Sequence, residues 1–213
     1  MLRTQHIVQC SPASINELNK HIAFHEAGHV TAIYIRNKQQ QLPPVFFQIT
    51  INKSRQKDFP FFARVEGGRL IENLPVAEIE NKHFDTALEK QPLKHAYEAD
   101  VINLLAGGLA EAKFVALRDD EIFNPYLVNI NALKNYGGHS DLEQANRYLE
   151  YFISNIAERE LKIQSLFEQT FQFIEEPKNW KCIEHFANYL LKNGQSTISC
   201  EEASTVLEQF LVT

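Results

Sequence analysis

The stretch IAFHEAGHV, residues 22–30, carries two histidines and a glutamate in the spacing His-Glu-x-x-His. Residues four apart lie on the same face of an α-helix, so a helix here lets His25 and His29 point a ring nitrogen at one cation. Glu26 lies about 100° further around such a helix, close to the cation without binding it. A zinc ion held by two histidines and one further protein ligand keeps a position for water. Glu26 is then placed to act as a general base.

The surrounding residues predict that this motif lies in a helix that begins near Ser14 and ends near Asn37. Ser14 and Glu17 have the spacing of a capping box. Apolar residues at helical spacing place both histidines on the inward face: Ile15, Leu18, Ile22 and Ile33. Gly28 costs a helix about 1 kcal/mol relative to alanine, so we expect another element to pack closely there. The alternative is a pair of core or surface histidines without a metal.

The composition is that of an ordinary folded protein. The 213 residues are 44% hydrophobic and 23% charged, which predicts a single domain over residues 1–213. The formal net charge of −6 argues against nucleic acid as a partner. The sequence has no run of about 18 apolar residues and no signal-peptide core, so we expect a soluble, cytoplasmic protein without a membrane span. Cys10, Cys182 and Cys200 lack C-x-x-C spacing, which argues against a disulfide framework or an all-cysteine zinc site.

Two runs of alternating apolar residues predict a β-hairpin or a small sheet. The first covers residues 45–51, and the second covers residues 61–65 and is followed by Gly67 and Gly68. Such a sheet either only covers the helices or also offers an edge strand along which a peptide can pair. Residues 69–92 have a weak pattern that predicts at most a short helix.

A core helix is predicted over roughly residues 93–117, where apolar residues recur at helical spacing. Gly107 and Gly108 lie inside it, which indicates close packing against another helix, with Gly28 as the expected partner. Glu111 follows one turn later on a largely apolar segment. A carboxylate there is either a surface residue or a partner for a metal-ligating histidine.

An irregular segment over residues 118–136 is followed by a second capping-box pattern, Ser140 with Glu143. This pattern predicts a long helix that begins at Asp141 and frays near Pro177. Asp141 would lie in the first turn, where an acid either complements the helix dipole or supplies the third zinc ligand. The spacing does not decide between these two roles.

Two amphipathic helices are predicted at the C-terminal end, over residues 180–191 and 199–211. Ser199 and Glu202 form a third capping-box pattern at the start of the second helix. Cys182 and His185 share the first helix, but their spacing fits a core or surface face better than a second metal site.

Three segments, in this order, resemble the peptidase domain of FtsH, the ATP-dependent zinc metalloprotease of bacteria and organelles. They are IAFHEAGHV at residues 22–30, LLAGGLAEAKF at 104–114 and GGHSDLEQAN at 137–146. The resemblance covers about residues 21–211. It implies a mostly helical α+β fold, a zincin-like helical bundle with a small β-hairpin or sheet. It also implies Zn2+ as cofactor and a zinc metalloendopeptidase (hydrolase) activity.

The resemblance also assigns roles to individual residues. It implies that His25 and His29 are zinc ligands and that Asp141 completes the zinc site from the start of a later helix. It implies that Glu26 is the catalytic base, which takes a proton from the zinc-bound water. Glu111 matches the first glutamate of the family's glycine-glycine helix, which implies a supporting role beside the ligands.

The sequence departs from this family in several respects. Gly108 stands where the family has an arginine, and Ala112 stands where it has a second glutamate, so we expect different cleft walls. The sequence has no G-x-x-x-x-G-K-[ST] phosphate loop. We therefore expect peptides or unfolded proteins as substrates, cut either by this domain alone or with a separate unfoldase as partner. The alternative is a non-catalytic, zinc-stabilised interaction module, although metal binding alone does not require Glu26.

Overall fold

The computed structural model describes residues 12–52, 62–71 and 91–211. Within these ranges the chain is mostly helical and contains one three-stranded antiparallel sheet, which confirms the predicted α+β class. The segment between residues 71 and 91, for which a short helix was considered, lies outside the described residues except at its ends, as does Cys10.

Helices and strands follow one another in a simple order. The helices are α1 (Pro12–Thr31), α2 (Gln91–Arg118), α3 (His139–Phe152), α4 (Ile156–Glu175), α5 (Pro177–Lys192) and α6 (Cys200–Leu211). The strands are β1 (Phe47–Asn52), β2 (Phe62–Gly67) and β3 (Thr197–Ser199). Helix α1 continues through a π-helical turn, Ala32–Arg36, into a short helix, Asn37–Gln39, and a 3-10 helix, Ile130–Asn135, precedes α3.

The motif-bearing helix α1 packs directly on the core helix α2. A Cβ atom on Gly28 would lie 2.5 Å from the carbonyl oxygen of Ala106 and 2.6 Å from the Cβ of Ala110. The close approach predicted at Gly28 is therefore confirmed, but its partners are two alanines rather than the glycine pair. The core around the two helices is apolar, and its largest fully buried side chains include Phe47, Phe167, Phe186, Ile102 and Leu105.

Within the described residues the sheet has the strand order β2-β1-β3, so β2 lies at its edge. Strands β1 and β2 pair antiparallel with Ile49 opposite Val65, which confirms the predicted hairpin strands. Strand β3 was not predicted, because three residues are too few to show a repeating pattern. It pairs antiparallel with β1, so the C-terminal part of the chain helps to hold β1 in place.

Two of the three capping-box predictions were wrong. Helix α1 begins at Pro12, two residues before Ser14. Helix α3 begins at His139 with Gly138 as N-cap, because the Gly138 carbonyl already accepts the backbone N–H of Leu142 at 3.0 Å. Ser140 therefore lies within the first turn instead of capping it. The third prediction is confirmed: Ser199 Oγ accepts the backbone N–H of Glu202 at 3.2 Å.

The long helix predicted to run from Asp141 towards Pro177 is in fact two helices, α3 and α4. They are separated at residues 153–155, where the side chain of Asn155 accepts the backbone N–H of Glu158 at 3.1 Å and caps α4. Pro177 does not mark fraying. It occupies the first turn of α5, where its fixed φ angle suits a helix start.

The C-terminal helices carry structural side chains at the two positions considered for a second metal site. Cys182 is buried, and the His185 ring stacks on Phe210 with ring centroids 3.8 Å apart. Cys182 and Cys200 are both free thiols. Among the described helices, none is at once long enough and apolar enough to cross a membrane.

Candidate metal centre

Helices α1 and α3 bring three predicted ligands together. His25 and His29 lie one turn apart on α1 and are both buried, and Asp141 lies in the first turn of α3. Nε2 of His25 is 3.1 Å from Nε2 of His29 and 3.1 Å from Oδ2 of Asp141. Nε2 of His29 is 3.4 Å from the same carboxylate oxygen. Within the described residues, these three side chains form the group that can hold a metal ion.

The separations of these atoms fit a tetrahedral ion. Bonds of roughly 2.0–2.1 Å to nitrogen and oxygen give edges of about 3.3–3.4 Å in a tetrahedral zinc site. The three distances between the ligand atoms are 3.1, 3.1 and 3.4 Å, so the atoms outline one face of such a tetrahedron. The fourth corner is left for a water molecule or a substrate atom.

Both imidazoles are oriented by hydrogen bonds on the side away from this group. Nδ1 of His29 donates to the carbonyl oxygen of Asn103 at 2.8 Å. Nδ1 of His25 lies 3.2 Å from Oε2 of Glu111 and 3.1 Å from the carbonyl oxygen of Tyr136. A proton on Nδ1 leaves Nε2 with its lone pair free for a metal. Glu111 therefore has the contact with His25 that the sequence predicted as one alternative.

Gly107 provides the space for the two imidazoles. A Cβ atom at this position would overlap Nε2 of His29 and would lie 2.8 Å from Nε2 of His25. Gly108 has a different environment, because its nearest neighbours would be Gly138 and Leu133 at 3.6 Å. The sequence predicted one role, close helix packing, for both glycines. The structure gives the two adjacent glycines separate roles.

The charges in the group reinforce one another. Burial alone would lower the pKa of His25, but hydrogen bonds to Asp141 and Glu111 outweigh it and raise that pKa to about 10 in the metal-free protein. Burial alone would raise the pKa of the Asp141 carboxyl, but the imidazoles of His29 and His25 hold it well below its ordinary value. The site is therefore built to keep Asp141 ionised beside a positive charge.

Glu26 lies beside the group and is held by the sheet. The backbone N–H of Val65 on β2 donates to Oε2 of Glu26 at 2.7 Å. Burial raises the pKa of the Glu26 carboxyl, although the nearby imidazoles and the Val65 N–H act in the opposite direction. A carboxylate with a raised pKa is a better proton acceptor near neutral pH.

Neither a protein-family model nor a characterised protein matches this chain.

An open cleft of about 670 Å³ lies over the centre. His25, Glu26 and His29 line its base, and residues of β2 line one wall, including Ala63 and Val65. The opposite wall is the start of α3 with residues that follow Asp141. Because the Val65 N–H points to Glu26 and not to β1, the edge of β2 that lies away from β1 faces this cleft.

Several groups at the centre were not found from the sequence. His21 Nδ1 lies 3.0 Å from Oε1 of Glu111, and its Nε2 accepts from Arg118 at 2.9 Å. His21 precedes His25 by four residues, so the helical spacing could have revealed it. Val65, Asn103 and Tyr136 contribute backbone groups to the centre, and a pattern of side chains does not reveal such contacts. His139, two residues before Asp141, has a side chain that is 71% exposed and lies 3.4 Å from Glu143.

Proposed function

We propose that this protein is a zinc-dependent metalloendopeptidase of the FtsH peptidase type, with His25, His29 and Asp141 as metal ligands and Glu26 as general base. The observation that carries the proposal is the face of three ligand atoms, with separations of 3.1, 3.1 and 3.4 Å, beside an oriented glutamate. The fold is mostly helical with a small sheet. We propose that it is the zincin-like bundle of that family.

A zinc ion held by His25, His29 and Asp141 would supply Lewis acidity to polarise a water molecule and a peptide carbonyl. Glu26 accepts the proton that the attacking water loses and returns it to the leaving amine nitrogen. The Val65 N–H bonds to Oε2 of Glu26 and so fixes the orientation of this carboxylate. Glu111 and the carbonyl of Asn103 fix the two imidazole rings, so they maintain the ligand geometry while the proton moves.

The substrate is proposed to be an extended peptide or an unfolded segment of protein. Within the described residues, no strand pairs with the edge of β2 that faces the cleft, and an extended chain can add to such an edge by main-chain hydrogen bonds. A folded domain does not offer such a strand, so a folded substrate requires a separate unfoldase or prior unfolding.

Metal analysis and one substitution test this function. Purified protein reconstituted with zinc should hold about one equivalent of the metal and should cleave unstructured casein. Glu26→Gln should keep the zinc and reduce cleavage by a factor of about 100 or more, because a general base contributes about 10²–10⁴. If wild type and Glu26→Gln bind zinc equally and neither cleaves any member of a broad peptide library, the protein is a zinc-stabilised binding module instead.

A further inference from the structure

The wall of the cleft formed by α3 carries a stripe of polar side chains. Ser140, Gln144 and Arg147 line the cleft at successive intervals of four and three residues. This spacing places them on one face of the helix, so they form a continuous row along the wall. Arg147 lies six residues after Asp141, which corresponds to about 9 Å along the helix axis.

Charge is distributed unevenly within this cleft. Among the described residues that line it, the acids are Glu26, Glu111 and Asp141, and all three belong to the metal centre. The other charged lining residues are arginines: Arg64, Arg69 and Arg147. The whole chain has more acids than bases, 27 against 21, so the composition does not predict that the charged lining outside the metal centre is basic.

Arg147 has an available guanidinium. Within the described part of the chain it makes no ion pair, and the two acids nearest to it in the sequence of α3 have other partners. Glu143 lies 3.4 Å from His139, and Glu150 lies 3.4 Å from Arg159. Arg69 differs, because it already donates to the hydroxyl of Tyr148.

We propose that Arg147 is a specificity-determining residue that binds a carboxylate of the substrate, so that the cleft selects peptides with an acidic group near the cleaved bond. This inference rests on the proposed peptidase function. A substrate strand advances about 3.3 Å per residue, so a strand that runs along α3 reaches Arg147 about three residues from the cleaved bond. A guanidinium binds carboxylates through paired N–H donors, which suits this recognition.

The carboxylate can belong to an Asp or Glu side chain or to the C-terminus of the peptide. Two sets of dye-labelled peptides distinguish these sources. In the first set, undecapeptides carry one Glu or one Gln at each position within four residues of a common cleavage site. In the second set, shorter Gln peptides end at each of the positions after the cleavage site, with either a free carboxylate or an amide.

The experiment measures kcat/KM of the zinc-loaded enzyme and binding to the zinc-loaded Glu26→Gln protein by fluorescence anisotropy. We expect the wild type to prefer the carboxylate peptide at one position by about tenfold and to lose much of this preference at high salt. Arg147→Gln should reduce the ratio to near one, and Arg147→Glu should favour a Lys peptide at the same position. Lys181→Gln, which removes an exposed charge on α5, is the matched control and should leave the ratio unchanged.

Because each ratio compares two peptides on the same variant, a general loss of folding cancels. Cleavage or binding without a carboxylate preference would overturn the proposal, as would a preference that Arg147→Gln retains. If no peptide is cleaved but binding shows the preference and its dependence on Arg147, the peptidase function fails and the carboxylate site stands.

Discussion

Gly107 lies directly against the metal-facing edge of His29, closer than any side chain would allow. The contact joins α2 to the ligand pair on α1 and explains why a residue of low helix propensity occurs in the middle of a 28-residue helix. Alanine substitutions at the adjacent positions Gly107 and Gly108 therefore test this contact against a matched control.

Gly107→Ala should lower the zinc affinity by about 100-fold or more, because the added Cβ displaces Nε2 of His29 from its ligand position. Gly108→Ala adds the same atom where the nearest neighbours are 3.6 Å away. It should bind zinc as the wild type does and gain up to about 1 kcal/mol of stability from helix propensity. Competition titrations with a zinc chelator and thermal unfolding measure both effects. Equal zinc affinities for the two variants would contradict the assigned role of Gly107.

Glu111→Gln should lower the zinc affinity by about 10–100-fold, because the carboxylate that orients His25 through Nδ1 is lost. Glu143→Gln removes the same charge from an exposed position two residues after Asp141 and serves as the control. The same chelator titration compares the two. If Glu111→Gln matches the control, the contact at 3.2 Å is structural rather than part of the metal site.

Val65→Pro removes the N–H that holds Glu26 without removing a bond between β1 and β2. We expect zinc binding and folding to persist and kcat for peptide cleavage to fall about tenfold, since one hydrogen bond to a charged group is lost. Arg64→Pro provides the contrast. Its N–H faces β1, so its loss should instead destabilise the fold by about 1–3 kcal/mol. Urea unfolding and peptide hydrolysis separate the two effects.

Zinc binding should release a proton from the metal-free protein. The pKa of His25 is raised to about 10 from an ordinary value of 6.5, so its imidazole is protonated at neutral pH and must lose that proton to bind the metal. The apparent zinc affinity should therefore rise about tenfold per pH unit from pH 7 towards pH 10. Calorimetry in buffers of different ionisation enthalpy counts the released protons. An affinity that stays constant from pH 7 to pH 9 would contradict this expectation.

The same shifts affect the stability of the metal-free protein. The raised pKa of His25 contributes stability that is complete below pH 6.5 and is lost as the pH rises towards about 10. The lowered pKa of Asp141 contributes stability that is present above pH 3.8 and is lost as the pH falls below that value. Urea midpoints of metal-free protein should therefore be highest between these two limits, and Asp141→Asn should weaken both dependences.

Local patterns allowed much of this structure to be predicted. The histidine spacing was sufficient to predict that His25 and His29 share one helix face with Glu26 beside them, because four residues make about one turn. The alternation of apolar residues was sufficient to predict strands β1 and β2. The spacing around Asp141 could not decide its role, since that depends on how α3 packs on α2 and brings Asp141 to the histidines of α1. The resemblance to FtsH supplied that assignment before the structure brought the three groups together.

The failures have physical causes as well. Capping-box patterns at Ser14 and Ser140 are short and occur inside helices as well as at their ends. The break between α3 and α4 depends on a single cap, Asn155, within an otherwise helical pattern. The backbone donor of Val65 was beyond any side-chain pattern, because every residue type except proline has an N–H.

His25 and Asp141 are 116 residues apart in the chain. During synthesis on a ribosome, α1 leaves the exit tunnel long before α3 has been translated. His25 and His29 are therefore present in the nascent chain before Asp141 has been added. Under the proposed function, the newly made chain cannot hydrolyse itself or its neighbours until the later helix has docked. Under that function, the order of translation by itself delays the activity until Asp141 is in place.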